Sequence, residues 1–314
     1  MADGENAQVD LAVLVPYAGE IPRAPDWFKR AVETPYETHW VDVDGASVRY
    51  QRWGDVTKPG LLLVHGNGAH AHWYDFIAPY FADDYHVVAM TFAGMGDSTW
   101  REQYTMAQFS AEQIAVCEDA GLFEGGRKPV IVAHSFGGFI TMLTGSEHSD
   151  RFAGMMLVDS PVRPPDDEWE GPPSRGGRNR AYPDLTSALA RFRLAPPQDC
   201  KNHYIVDYIA RHSLKQVTNS DDQTGWTWKF DGSIWQRFEA MAKPVAMFSA
   251  ISCRLCVMRG EHSVLMPDKI WDYMRDLRDD MTMVSITDAQ HHVMLDQPLA
   301  FVEAVRAQLV AWEY

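Results

Sequence analysis

Basic residues are scarce: 28 Lys and Arg stand against 43 Asp and Glu, which leaves a net charge of −15. A polyanionic partner needs clustered Lys and Arg to replace the counterions of its phosphates, so nucleic acid is excluded. The N-terminus, Met1-Ala2-Asp3-Gly4-Glu5-Asn6, lacks the basic region of a targeting signal. Its apolar run from Leu11 to Val15 is too short for a signal core or a membrane span. A cytoplasmic location and no membrane partner are therefore expected. Cysteine is sparse too, four in 314 residues, which fits free thiols in a reducing compartment. Cys253 and Cys256 have the spacing of redox and zinc sites, but three positions along a strand put two side chains on opposite faces. Buried free thiols are the expectation.

What is present is core-forming material: 46% of the residues are hydrophobic and 12% aromatic, enough for one α/β domain with an insertion. The chain is organised around Pro129-Val130-Ile131-Val132-Ala133-His134-Ser135-Phe136-Gly137-Gly138. A β-branched run of this kind predicts a buried strand, and the small residues after it predict a tight turn into a helix starting at Phe136. A serine on such a turn is pushed out of the backbone, with the next N–H pointing at whatever its hydroxyl attacks.

Other strands and helices follow from the same patterning. His39–Val43 and Ser47–Trp53 flank Asp44-Gly45, a hairpin signal. A fully apolar strand is expected at Gly60–Val64 and a buried one at Ala153–Asp159, with further strands at His86–Thr91, Cys253–Arg259 and Thr282–Ile286. Helices are expected at Trp73–Phe81, Ala107–Ala120, Leu185–Phe192, Tyr204–Leu214, Asp268–Leu277 and Pro298–Trp312. Phe92-Ala93-Gly94-Met95-Gly96-Asp97-Ser98 is glycine-rich but has neither a following lysine nor the spacing of a dinucleotide loop, so it is not a phosphate cradle.

The segment Ala133-His134-Ser135-Phe136-Gly137 resembles the Gly-x-Ser-x-Gly elbow of the α/β-hydrolase family, with Ala133 in place of the first glycine. Three more segments match that family in its order. His65-Gly66-Asn67-Gly68 follows the third strand, Thr91 to Ser98 looks like its Asp-x-x-Gly-x-Gly-x-Ser turn with Thr91 at the aspartate, and Gln290-His291 to Pro298 resembles its terminal histidine segment. The resemblance implies an α/β fold: a mostly parallel central sheet flanked by helices, with a helical cap. Residues 1–35 would form an N-terminal arm, 36–160 and 246–314 the core, and 161–245 the cap insertion, which carries Trp226, Trp228, Phe230 and Trp235.

The resemblance also implies a site. A serine hydroxyl needs a base within hydrogen-bond reach, and the base needs a carboxylate to orient it. Ser135 takes the position of the nucleophile, His291 that of the base with His292 as its rival, and the backbone N–H groups of Asn67 and Phe136 those of the oxyanion hole. The acid stays open between two residues. The family's usual position, three past Gly260, holds Ser263, which cannot carry a charge. Asp159, at the end of the preceding strand, occupies the acid position of a minority of the family, and Glu261 is the second candidate. His70 and His72 lack a carboxylate or thiol at ligand spacing, so no metal is expected, and no cofactor either.

The expected activity is hydrolysis of a small apolar carboxylic ester or lactone through an acyl-enzyme. Hydrolysis of a carbon–carbon bond in a diketone is the alternative, with Arg191 or Arg193 of the cap as its polar contact. A ligand receptor on a retained hydrolase fold is the alternative outside catalysis. Oligomeric state is not legible.

Overall fold

A computed structural model describes residues 12–124, 127–167, 180–218, 224–239 and 243–314. Pro172, Pro173, Gly176 and Gly177, which mark the expected cap, lie outside the described residues.

Helix α1 (Asp26–Val32) precedes strands β1 (Glu37–Val43), β2 (Ala46–Trp53), β3 (Gly60–Val64) and β4 (His86–Met90). The β1–β2 hairpin turns where Asp44 and Gly45 both take positive φ, 47° and 77°, the conformation of a tight primed turn. After the two-residue β5 (Tyr104–Thr105) comes α2 (Met106–Asp119). Thr105 starts that helix with a capping box: its hydroxyl accepts from Gln108 N while the Gln108 side chain accepts from Thr105 N. Then follow β6 (Val130–His134), α3 (Phe136–His148) and β7 (Gly154–Val158). The insertion holds α4 (Leu185–Leu189), α5 (His203–His212), an antiparallel hairpin of β8 (Leu214–Thr218) and β9 (Thr224–Trp228), and β10 (Phe238–Glu239). Helix α6 (Pro244–Ala250), β11 (Arg254–Gly260), α7 (Asp268–Leu277), β12 (Thr282–Ile286), α8 (Val293–Asp296) and α9 (Pro298–Ala311) complete the chain.

Eight strands form one sheet in the order β1-β2-β4-β3-β6-β7-β11-β12. The six from β4 to β12 run parallel, and β1 and β2 enter antiparallel. Parallel strands covered on both faces need apolar residues at every position, and the sequence supplies them. Leu61, Leu63, Val130, Val132, Met156 and Val158 pack into one layer. Their neighbours Leu62, Val64, Ile131, Ala133, Met155 and Leu157 pack into the other. Cys256 sits in the first layer and Cys253 against the second, so the two thiols are separated by the sheet. Burial pushes Cys256 up to about 12, as expected of an inert thiol.

Three local expectations are corrected. Trp73–Phe81 is not one helix: short 3₁₀ turns at Ala71–Trp73 and Ala78–Tyr80 replace it. Pro79, which cannot donate a backbone hydrogen bond, stands inside the second turn. The insertion is not wholly helical, because Trp226 and Trp228 lie on β9. Helix α4 stops at Leu189 rather than Phe192. Among the described residues no helix is long and apolar enough to cross a membrane.

Candidate active site

Strands β6 and β7 are neighbours in register, His134 opposite Val158. The residue after each strand end, Ser135 and Asp159, therefore emerges on the same edge of the sheet. Both leave their strands with positive φ, 53° and 50°. For a residue with a Cβ this is a strained conformation that persists only when its surroundings hold it. Ser135 is held by its N–H on the Val158 carbonyl at 2.8 Å, and its own carbonyl accepts from Phe139 N and from Ser160 Oγ. The side chain is half-buried, and Ser135 Oγ has no hydrogen-bond partner among the described residues.

The loop after β3 packs directly on this turn. A methyl group on Gly137 would stand 2.4 Å from the His65 carbonyl oxygen, and one on Gly66 would stand 3.1 Å from Ser135 Cβ. The approach at Gly137 requires glycine, and that at Gly66 leaves a side chain little room. His65 stiffens the loop: its Nε2 accepts from Phe92 N at 3.0 Å, so Nδ1 carries the proton and donates to the Gly66 carbonyl at 2.7 Å. Burial lowers its pKa to about 4, which keeps the ring neutral. Neither Asn67 N nor Phe136 N has a hydrogen-bond partner among the described residues. Two free N–H groups thus belong to backbone segments that meet at Ser135.

His291 is brought to the same edge by its neighbours. His134 Nε2–H donates to the His291 carbonyl at 2.9 Å, which joins the residue before Ser135 to the His291 loop. Both N–H groups that bracket His291 are also held. Gln290 N donates to Asp296 Oδ2 at 2.8 Å, and His292 N donates to Gln198 Oε1 at 3.0 Å. Gln198 Nε2 in turn donates to both Asp296 oxygens, at 3.1 and 2.9 Å. This is a closed ring of hydrogen bonds around the loop, with Gln198 supplied by the insertion. Burial pushes the Asp296 carboxyl up to about 6.

The His291 ring is 2% exposed on its side chain, and its Nδ1 lies 2.8 Å from Asp159 Oδ1. Asp159 is fully buried and accepts two more bonds, from Gly260 N at 3.0 Å and from Ser263 Oγ at 2.6 Å. The serine that stands three past Gly260 therefore donates to the carboxylate one strand away. Ser263 Oγ is itself fixed by Leu265 N and Met266 N, at 3.2 and 3.3 Å. Glu261 is exposed and accepts from Asp288 N at 3.2 Å. Of the two carboxylates left open by the sequence, the geometry joins Asp159 to the imidazole. His292 packs on Trp73, with ring centroids 5.4 Å apart.

Beside Ser135 the surface is aromatic. Phe136 meets Trp235 edge-on at 5.4 Å, and Phe238 lies 5.9 Å from Phe136. Trp228 packs within the insertion on Tyr182 and Phe192. Arg191 is exposed, while Arg193 donates to the carbonyls of Ala190 and Phe192. The sequence reading passed over Ser263 as a donor, and also His134, Gln198 and Asp296. Their only signal was a polar residue where a buried position calls for an apolar one. The premise that no carboxylate stands at ligand spacing from His72 is also corrected, since Asp75 Oδ2 is 2.6 Å from His72 Nδ1 across one short turn.

A model of the alpha/beta hydrolase family matches residues 61–304. An esterase of Mycobacterium tuberculosis, Rv0045c, is 23% identical over an alignment of 287 residues that covers 85% of this chain and 88% of that one. A crystal structure of the same esterase superposes with a TM-score of 0.63 at 21% identity, covering 98% of this chain and 99% of that one. A thioesterase domain from the curacin biosynthetic pathway superposes with a TM-score of 0.71 at 18% identity, over 87% of this chain and all (100%) of that domain.

Proposed function

The chain belongs to the alpha/beta hydrolase family, and on that premise we propose that it is a serine hydrolase of carboxylic esters or lactones. Ser135 is the nucleophile, His291 the general base and Asp159 the acid that orients it. The observation that carries this reading is the bond from His291 Nδ1–H to a buried Asp159 already neutralised in part by Ser263 and Gly260. That bond sets the tautomer, so His291 Nε2 holds the free lone pair.

In the first half-reaction Ser135 Oγ attacks the carbonyl carbon while its proton passes to His291 Nε2. The negative charge that develops on the carbonyl oxygen meets the N–H groups of Asn67 and Phe136, whose bonds cost no reorganisation when the charge appears. Asp159 stabilises the imidazolium without taking its proton. The tetrahedral intermediate collapses, His291 gives its proton to the leaving alkoxide, and the acyl group stays on Ser135. Water then repeats the sequence with His291 as base, releasing the acid. Ser135 Oγ has no hydrogen-bond partner among the described residues; such contacts often tighten only with substrate bound.

The aromatic surface of Phe136, Trp235 and Phe238 supports an apolar acyl or alcohol group. The esterase name of the Mycobacterium tuberculosis relative supports the same class. Arg193 spends hydrogen bonds on backbone carbonyls of its own turn, so the diketone alternative has less behind it.

The direct test is steady-state hydrolysis of p-nitrophenyl esters of graded chain length, then lactones, then a vinylogous diketone. Turnover of the esters, with a burst of p-nitrophenol before the steady state, is expected. Turnover of the diketone alone would replace this reading by carbon–carbon hydrolysis, and tight binding without any turnover would replace it by a receptor.

The ring of hydrogen bonds around His291 makes a further prediction. Gln198→Ala frees His292 N and loosens the grip on Asp296. It should lower kcat by roughly 10–100-fold with KM little changed, because a base displaced by about 1 Å loses its alignment. A rise in KM at constant kcat would make Gln198 a substrate contact instead.

A further inference from the structure

A second cluster of histidines lies between the core and the insertion, and the chemistry above does not use it. His72, in the 3₁₀ turn Ala71–Trp73, and Asp75 come from the core, while His212 is the last residue of α5 in the insertion. The ring centroids of His72 and His212 are 4.3 Å apart. One potential ligand atom from each of His72, Asp75 and His212 lies within 4.8 Å of the other two.

The hydrogen bonds fix which nitrogens are free. His72 Nδ1–H donates to Asp75 Oδ2 at 2.6 Å, and His212 Nδ1–H donates to the Tyr208 carbonyl at 2.8 Å. Both lone pairs are thereby left on Nε2, and neither Nε2 has a hydrogen-bond partner among the described residues. Asp75, 1% exposed, is anchored by Tyr208 Oη–H at 2.7 Å and Gln51 Nε2–H at 3.1 Å. A third imidazole, His70, repeats the pattern. Ser213 Oγ–H donates to the Ile209 carbonyl, so His70 Nε2–H must donate to Ser213 Oγ, and His70 Nδ1 is left buried with no partner.

A lone pair buried without a donor is costly, as at His70 Nδ1, and beside it His72, Asp75 and His212 stand close enough to share one ion. We propose that this cluster is a site for a divalent transition ion such as Zn²⁺, with His72 Nε2 and His212 Nε2 as ligands and Asp75 as the carboxylate that orients the His72 ring. Imidazole donors suit zinc, copper and nickel rather than magnesium or calcium. A carboxylate on the far nitrogen of a ligating histidine is the usual outer support of such sites: it fixes the tautomer and raises the basicity of the ligand. Zn–N bonds of about 2.0–2.1 Å draw the ligands closer than the unbound rings stand, and rotation of His212 at the end of its helix supplies the movement. The ion would tie α5 of the insertion to the core loop after β3. Its expected effect is stabilisation that grows with free metal.

The experiment uses the full-length protein freed of metal by a chelator and then dialysed. Zn²⁺ binding is followed by calorimetry and by thermal unfolding, and Co²⁺ by its visible absorption. One Zn²⁺ per chain and a rise in Tm are expected. Neither should survive His212→Ala or His72→Ala, and Asp75→Asn should weaken binding roughly 10–100-fold. His212 is half-buried at a helix end, so its variant keeps the test valid where a change at His72 disturbs folding. Failure of the wild-type protein to bind Zn²⁺ overturns the proposal, as does wild-type binding by His212→Ala. So does binding lost only in His291→Ala, which would put the ion on the neighbouring His134, His291 and His292 instead. Because the readout is binding, the result does not depend on whether Ser135 is a nucleophile.

Discussion

Alanine at Ser135 is expected to lower kcat for ester hydrolysis by roughly 10⁶, the loss seen when a nucleophile of this type is removed. The fold should not change. Ser135 Oγ has no hydrogen-bond partner among the described residues, so nothing structural rests on it. The strained turn is held through backbone atoms, by the Val158 carbonyl and by Ser160 and Phe139 on the Ser135 carbonyl. Alanine has the same Cβ and meets the positive φ at the same cost. Steady-state kinetics on the variant, with a thermal melt beside them, separate the two effects. A Tm within a degree or two of wild type together with near-normal turnover would mean that the nucleophile lies elsewhere.

Asp159→Asn should cost about 10⁴ in kcat, and Glu261→Gln should cost almost nothing. The asparagine keeps the shape of the side chain but not its charge. It can present an amide N–H to His291 Nδ1, which favours the wrong tautomer and moves the lone pair away from Ser135. Two donors, Ser263 Oγ–H and Gly260 N–H, would then face a group with one carbonyl oxygen in place of two carboxylate oxygens. A smaller effect is expected for Ser263→Ala, which removes one bond to Asp159 but leaves its charge and its contact with His291. Comparing kcat for the three variants on one ester orders them. If Glu261→Gln were the crippled enzyme, the acid would lie at the end of β11 and the observed His291 contact would be incidental.

Much of this was readable because period and chemistry coincided. Unbroken apolar runs such as Gly60–Val64 and Val130–Ala133 have one reading in an α/β chain, a strand covered on both faces, and each divides its residues between the two layers. Ser135 was legible as a candidate because the elbow around it stands in sequence order with the other segments that resemble the family. The candidate acid was only half legible. Ser263 marked where the carboxylate was missing, but the pairing that brings Asp159 to His291 spans 132 residues and depends on β7 and β11 lying side by side.

What could not be read depends on contacts between distant segments. Gln198 meets His292 across 94 positions, and nothing local marks it as more than a loop glutamine. The stretch after Trp73 has the spacing of a helix, yet Pro79 divides it. The carboxylate beside His72 is three positions away, and a 3₁₀ turn rather than a long helix brings them together. Trp226 and Trp228 suggested packing of some kind, and they use it inside the β8–β9 hairpin of the insertion.

The central claim is that Ser135 is activated by the His291–Asp159 pair. Its most direct test is the intact mass of the purified protein after incubation with a small fluorophosphonate, followed by mapping of the modified peptide. One adduct per chain, carried on Ser135 and absent from Ser135→Ala, is the predicted result, with labelling slowed strongly in Asp159→Asn and unchanged in Glu261→Gln. A folded protein that gains no adduct, or gains it on another residue, would contradict the account.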